Sequence, residues 1–164
     1  RTMGLRPGST ADTKADRKAY GATTLEARHV SFSADGKAVT LDFDSKKGGH
    51  STVTSRDPQT VATLKAHTSG KGPDDRVFDT SDAKTNVYID RVTPGFTNKD
   101  LRTTLATGYA RTIVRKMPRP VSPAEVRKAK RRVAEQVSQV LQNKPDEALK
   151  SYIAPEVFDA AGWD

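Results

Sequence analysis

Hydrophobic and polar residues alternate along the chain between His29 and Thr54. A period of two places successive apolar side chains on one face of a β-strand, so this stretch predicts strands. The Asp35-Gly36 pair is a strong hairpin signal, and residues 45–49 supply a second turn before a short strand around residues 52–54. The alternating apolar residues are Val30, Phe32, Val39, Leu41 and Phe43. The pattern predicts a small three-stranded antiparallel sheet.

Helical signals replace this alternation after residue 56. Asp57-Pro58 is a helix N-cap followed by proline at the first helical position, and Ser81-Asp82 starts a second short helix. The apolar residues expected on these helices are Val61, Leu64, Val87 and Val92. Two short helices should therefore follow the sheet.

Longer helices are predicted in the second half of the chain. Thr97-Asn98 caps one that ends before Pro118, and a capping box at residues 122–125 starts the next. Apolar residues recur at steps of four in the first, at Leu101, Leu105, Tyr109, Ile113 and Met117. The second carries a stripe that we expect in the core, at Val126, Ala129, Val133, Val137 and Val140. After a break at Lys144-Pro145, a short helix should run to about Ile153, and a last turn should hold Val157, Phe158 and Trp163.

These elements divide the chain into three stretches. Residues 1–28 predict a loop with a short helix, residues 29–56 the antiparallel sheet, and residues 57–164 a helical body. We therefore expect a mainly helical α+β fold, and a length of 164 residues suits one domain. Because residues 1–6 resemble the end of an element, we expect the sequence to be a fragment of a longer protein.

The positive charge of the chain is concentrated in one stretch. Eleven lysine and arginine residues and two acidic residues lie between Lys99 and Arg132, whereas the formal charge of the whole chain is +8. A positive field confined to one stretch suits a polyanion, because each neutralised phosphate releases counterions. A solvated helix face would explain the same charges equally well. Attraction to a membrane fits less well, since no helix carries bulky apolar anchors opposite the charges.

The residue types argue against several kinds of chemistry. The chain has no cysteine, and its three histidines are scattered without metal-ligand spacing. No apolar run is long enough to span a bilayer. We expect no cofactor, no nucleotide partner and no membrane partner. Phosphodiester cleavage without a metal would need a nucleophile, cations against the phosphate oxygens and an acid for the leaving oxygen.

Six short segments supply candidates for these roles. They are residues 3–9 (MGLRPGS), 20–30 (YGATTLEARHV), 43–46 (FDSK), 98–103 (NKDLRT), 141–145 (LQNKP) and 150–155 (KSYIAP). In this order, and across essentially the whole chain, they resemble the active-site motifs of type IB DNA topoisomerases, in particular the poxvirus-like and bacterial group. Any one motif is weak, and the specificity lies in their conjunction.

The resemblance implies five catalytic residues. Tyr152 would be the nucleophile that takes the 3′ phosphate and expels a 5′ hydroxyl. Arg6 and Arg102 would clamp the non-bridging oxygens, and Lys46, at a hairpin tip, would be the general acid for the 5′ oxygen. Asn143 would donate a hydrogen bond to the same phosphate.

The resemblance also implies the partners of the chain. Lys99, Lys150 and Arg28 would contact DNA, and a monomer would act on the duplex and relax supercoils without ATP. The resemblance also leads us to expect that the family's small N-terminal clamp domain lies outside this chain. A bacterial protein would work at the nucleoid in the cytoplasm. The nucleus and the virion are the alternative locations.

Every assignment has a structural alternative, and the function has two rivals. Taken alone, Tyr152 could be a tyrosine packed in the core, and Arg102 could form a surface ion pair with Asp100 or a glutamate. Asn143 could be a helix C-cap. Lys46 suits a solvated hairpin tip, and Arg6 an exposed terminal residue. A tyrosine recombinase has a similar core, although its second motif puts histidine where this chain has Lys99. A non-catalytic module would bind duplex DNA without becoming linked to it.

Overall fold

A computed structural model describes residues 3–46 and 49–163, which form an α+β fold with a hydrophobic core in each of two compact units, Met3–Pro94 and Gly95–Asp164. The helices are α1 (Thr10–Lys14), α2 (Pro58–Thr68), α3 (Asp82–Val92), α4 (Asn98–Val114), α5 (Pro123–Leu141), α6 (Pro145–Ser151) and α7 (Glu156–Asp159). The strands are β1 (Val30–Phe32), β2 (Val39–Ser45) and β3 (Gly49–Ser55). The fold class is confirmed, and the expectation of a single domain over residues 1–164 stays a prediction. The proposed element end at Arg1-Thr2 and part of the second turn, Lys47-Gly48, lie outside the described residues.

The first unit is built on the predicted sheet. Its strands lie in the order β1-β2-β3 and pair antiparallel, with Leu41 opposite both Val30 and Val53. The alternation along β2 buries Val39, Leu41 and Phe43 on one face. Buried residues of α2 and two loops complete this core, namely Val61, Leu64, Tyr20, Leu25 and Val77. The sheet and the short helix α1 predicted before it are confirmed.

Helix α3 forms where its cap predicts but buries none of its residues. The Ser81 side chain accepts a hydrogen bond from the backbone N–H of Lys84 at 3.2 Å and so starts the helix. Val87 and Val92, predicted as its apolar residues, are 71% and 62% exposed. A cap stabilises a helix start whether or not the helix packs, so the sequence predicted the element but not its burial.

In the second unit, α4 and α6 pack against α5, and α7 packs against α4. The Ser122 hydroxyl caps α5, and the predicted stripe is confirmed at Ala129, Val133 and Val137. Val126 and Val140 of the predicted stripe are only partly buried, and Leu141 is the fully buried residue at the C-terminal end of α5. The predicted last turn is also confirmed by the buried residues Val157, Phe158 and Trp163.

The buried face of α4 matches the predicted one only in part: Leu105, Ile113 and Met117 of the predicted series pack against the core. Leu101 and Tyr109, expected on the apolar face, are 49% and 39% exposed. The face that packs against the core instead carries Arg102, Ala106 and Ala110 before it reaches Ile113. Small alanine side chains let neighbouring helices approach closely. Arg102 lies on the same face as these alanines and therefore points toward the core.

The core of the second unit gives a test of the fold. Truncating the fully buried Leu141 to alanine removes apolar burial and leaves a cavity. We expect Leu141→Ala to lower the free energy of unfolding by about 2–5 kcal/mol in urea denaturation. The control, Val121→Ala, changes a side chain that is 87% exposed and should alter it by less than about 0.5 kcal/mol. Equal effects of the two changes would contradict this core.

Candidate active site

The five candidate catalytic residues fall into two groups, one in each unit. Arg6 and Lys46 belong to the first unit and line the same cavity, together with Ser9, Asp12 and Tyr20 among others. The second group, in the helical unit, contains Arg102, Asn143 and Tyr152. Each group is held by contacts within its own unit.

Close backbone packing fixes the segment that carries Arg6. The Arg6 carbonyl accepts a hydrogen bond from the N–H of Ala22 at 2.7 Å, and the next carbonyl accepts one from Thr23. Gly8 has a φ of +89°, and a Cβ added to Gly21 would lie 2.6 Å from the Arg6 carbonyl oxygen. Glycine is therefore required for this contact. Arg6 itself is half-buried, so the alternative of an exposed terminal residue is wrong.

Lys46 follows β2 directly and is paired with an acidic residue. Its Nζ lies 3.1 Å from Oδ1 and 3.3 Å from Oδ2 of Asp12 on α1. Partial burial of the Asp12 carboxylate is the largest single influence and opposes ionisation, but hydrogen bonding to Lys46 and Ser9 and the charges of Lys46 and Arg6 together outweigh it and keep the pKa of Asp12 below its usual value. The Lys46 ammonium is thus held in a defined place beside Arg6, with half of its side chain exposed.

A histidine bridges two carboxylates close to the turn of the hairpin that carries Lys46. His50 on β3 contacts Asp44 through Nδ1 and Asp42 through Nε2, both at 2.9 Å. Hydrogen bonding to Asp44, together with the charge of Asp42, raises the pKa of His50 above its usual value. The imidazole therefore links β3 to two carboxylates of β2 next to Lys46, and these contacts favour its protonated form.

Arg102 connects the parts of the second group. Its side chain is only 6% exposed, and its guanidinium carbon lies 4.9 Å from the centre of the Tyr152 ring. The guanidinium also donates a hydrogen bond at 3.0 Å to the carbonyl of Leu141, two residues before Asn143. The alternative of a surface ion pair with Asp100 is wrong, because Asp100 instead accepts hydrogen bonds from Thr97 at the start of α4.

Asn143 has a buried amide group without a hydrogen-bond partner among the described residues. Gln142 takes the left-handed position that ends α5, with a φ of +52°, so the C-cap alternative for Asn143 is wrong. Both Nδ2 and Oδ1 of Asn143 are buried and unbonded, whereas its backbone N–H donates to the carbonyl of Ser138. A buried polar group without a partner is unusual and marks a candidate ligand contact.

Tyr152 stands where α6 ends, half-buried between Arg102 and the helical core. The Thr107 hydroxyl donates to the Tyr152 carbonyl and accepts from the N–H of Ala154, both at 3.2 Å. The motifs did not single out Thr107. Its only sequence signal is a polar residue beside the buried alanines of α4.

The three residues predicted to contact DNA have different surroundings. Lys99 and Lys150 are exposed, as are most of the basic residues of α5. Arg28 contacts Glu26 at 2.5 Å and Asp74 at 2.8 Å, so two carboxylates occupy its guanidinium. A DNA contact of Arg28 stays a prediction.

Neither a metal-ligand cluster nor a membrane-spanning helix occurs in the part of the chain that the structure describes. No group of three histidine or acidic residues there is arranged to hold a metal ion. None of the described helices is both long enough and apolar enough to cross a bilayer.

The small antiparallel sheet and the helical body that follows it have the α+β architecture of a type IB topoisomerase catalytic core. The chain matches the family described as eukaryotic DNA topoisomerase I, catalytic core, over residues 1–152, and it belongs to this family. The match contains all five candidate catalytic residues and ends at Tyr152. No curated protein matches the chain.

Family membership implies DNA as the partner, and the Asp12 ion pair then predicts a measurable effect. Asp12→Asn removes a negative charge from the cavity and frees Lys46 to face a phosphate. We expect about three- to tenfold tighter binding of duplex DNA at low salt, with the gain fading as salt increases. Asp16→Asn removes the same charge from an exposed position nearby. Fluorescence anisotropy titrations that show equal gains for both variants would contradict a specific role of Asp12.

Proposed function

We propose that the chain cleaves one strand of duplex DNA by attack of the Tyr152 hydroxyl on a phosphodiester, and then reseals the strand. The hydroxyl gives up its proton to water as a bond forms between the tyrosine oxygen and phosphorus, and the bond from phosphorus to the 5′ oxygen breaks. The 3′ end becomes phosphotyrosyl, and the 5′ end leaves as a hydroxyl. Rotation before resealing relaxes supercoils, and no ATP is consumed because the covalent intermediate conserves the energy of the broken linkage.

The observation that carries this proposal is the buried Arg102 guanidinium, 4.9 Å from the ring centre of Tyr152. This cation–π contact holds the phenol ring next to the cation that is to bind the phosphate. The planar guanidinium also matches two non-bridging oxygens of a phosphate, whose charge grows in the transition state. One arginine thereby serves both the nucleophile and the phosphate.

The remaining side chains complete the proposed chemistry. Arg6 neutralises a non-bridging oxygen, and Lys46 gives its proton to the departing 5′ oxygen. Asn143 donates its amide N–H to a non-bridging oxygen. The buried amide of Asn143 supports this role, because a phosphate would supply the acceptor that it lacks among the described residues.

We propose further that the chain belongs to the poxvirus-like and bacterial subgroup. Asn143 supports this assignment, because it stands where many bacterial members resembling this chain have asparagine and other members of the family have histidine. In this proposal a monomer binds duplex DNA, with Lys99, Lys150 and the basic face of α5 against neighbouring phosphates. A bacterial member would act at the nucleoid.

Trapping of the covalent intermediate tests the proposal. Supercoiled plasmid is incubated with the protein in chelator without ATP, and the reaction is stopped with a denaturing detergent. We expect relaxed topoisomers and a protein–DNA adduct whose free 5′ hydroxyl end accepts label directly from polynucleotide kinase. Peptide mapping should place the nucleotide on Tyr152 and not on the exposed Tyr88 or Tyr109.

The same assay separates the rival functions. A recombinase would exchange strands between two duplexes, so joined products from two labelled duplexes would favour that activity. Binding of DNA without relaxation or adduct would support a non-catalytic module and refute the proposed function.

A further inference from the structure

The main chain leaves its helix at the proposed nucleophile. Tyr152 is the residue that ends α6, with φ of −132° and ψ of −29°, and its N–H still donates to the carbonyl of Ala148 at 3.2 Å. The carbonyl of Tyr152 and the N–H of Ala154 come after that helix and need partners elsewhere, because buried backbone groups are rarely left unpaired.

One hydroxyl group serves both of these backbone groups. Thr107 Oγ1 donates to the Tyr152 carbonyl and accepts from the Ala154 N–H, each at 3.2 Å, across 45 and 47 residues of sequence. Thr107 is only 8% exposed. Thr112 on the same helix shows the common alternative, since its hydroxyl donates to the carbonyl of Gly108 within the helix. The Thr107 hydroxyl instead bridges two groups of another segment.

Thr107 and Arg102 belong to the same helix, five positions apart. Arg102 contacts the ring of Tyr152, and Thr107 binds the main chain on both sides of Ile153. A single rigid element therefore fixes the side chain and the backbone of the nucleophile together. Displacement of a reacting group by about 1 Å costs up to about 10²-fold in rate.

We propose that Thr107 is a positioning residue that fixes the Tyr152 phenol in line with the phosphodiester, an inference that rests on the proposed function. It touches neither DNA nor the reacting atoms. Its loss should slow attack on phosphorus without weakening the binding of DNA.

Thr107→Val tests this role because valine keeps the shape and removes both hydrogen bonds. Single-turnover cleavage is measured at saturating DNA, and affinity is measured separately by anisotropy. We expect Thr107→Val to cleave about tenfold more slowly with DNA affinity within about twofold of the wild type. Thr107→Ser keeps the hydroxyl and should retain a rate within about threefold. The control Thr112→Val, which breaks a hydrogen bond inside the helix, should cleave at the wild-type rate.

A size-matched pair keeps the test decisive if Thr107→Val fails to fold. Thr107→Ser and Thr107→Cys both lack the methyl group and differ mainly in the strength of their hydrogen bonds. Slower cleavage by the cysteine variant at equal affinity supports the proposal. Equal rates for serine and cysteine, or wild-type cleavage by Thr107→Val, overturn it while leaving the proposed function intact. Absence of cleavage by the wild type overturns both.

Discussion

Tyr152→Phe is expected to abolish covalent attachment and to reduce plasmid relaxation by roughly 10⁴-fold or more, because it removes the oxygen that attacks phosphorus. The phenylalanine ring keeps the packing of Tyr152 against the helical core and its contact with Arg102. The free energy of unfolding and the affinity for duplex DNA should therefore stay close to the wild type. Gel analysis of topoisomers and of detergent-trapped adducts measures the loss.

A second tyrosine of the same unit is the matched control for this change. Tyr109 on α4 belongs to the same helical unit, is 39% exposed and has no proposed role in the reaction. Tyr109→Phe should relax plasmid at the wild-type rate. An adduct that survives Tyr152→Phe but disappears with Tyr109→Phe would show that the nucleophile has been assigned to the wrong residue.

The sequence predicted where helices and strands form better than it predicted which of their faces are buried. Asp57, Ser81, Thr97 and Ser122 all cap the helices that they were expected to cap, because capping depends on residues within one turn. Burial depends on what packs against the helix from elsewhere in the chain. For that reason the apolar face assigned to α4 was wrong at Leu101 and Tyr109, which are exposed, although Ile113 of the same series is buried.

Arg102 shows why periodicity fails at this site. Arginine is almost never fully buried unless it is paired, so a hydrophobic pattern places it in solvent. In the structure it lies in the core and contacts an aromatic ring and a backbone carbonyl. Only the short motif around it identified Arg102 as a candidate, and functional residues are where such local rules are expected to be broken.

The roles of Asp12 and Thr107 could not be predicted from the sequence, for a different reason. The Lys46–Asp12 contact spans 34 residues, and the Thr107–Tyr152 contact spans 45. Neither pair has a characteristic spacing, because the two partners come from different elements whose packing brings them together. The residues proposed for the chemistry could be predicted from motifs, whereas the residues that hold them could not.

Lys46→Ala is expected to slow cleavage by about 10²–10⁴-fold, because the departing 5′ oxygen would lose its proton donor. DNA affinity should fall far less than the cleavage rate, since a general acid acts mainly in the transition state. Lys37→Ala, which alters an exposed lysine of the other hairpin, should leave both quantities unchanged. Single-turnover cleavage of a labelled duplex measures the rate.

Two further comparisons separate proton donation from simple charge at Lys46. Lys46→Arg keeps the positive charge, but guanidinium does not release its proton at neutral pH, so cleavage should stay slow. A substrate with sulfur in place of the 5′ bridging oxygen needs no acid, because a thiolate is a far better leaving group than an alkoxide. Cleavage of that substrate by Lys46→Ala should approach the wild-type rate. If Lys46→Arg were fully active, or the sulfur substrate remained slow, Lys46 would act as a phosphate clamp alone, and the ammonium beside Asp12 would have no part in proton transfer.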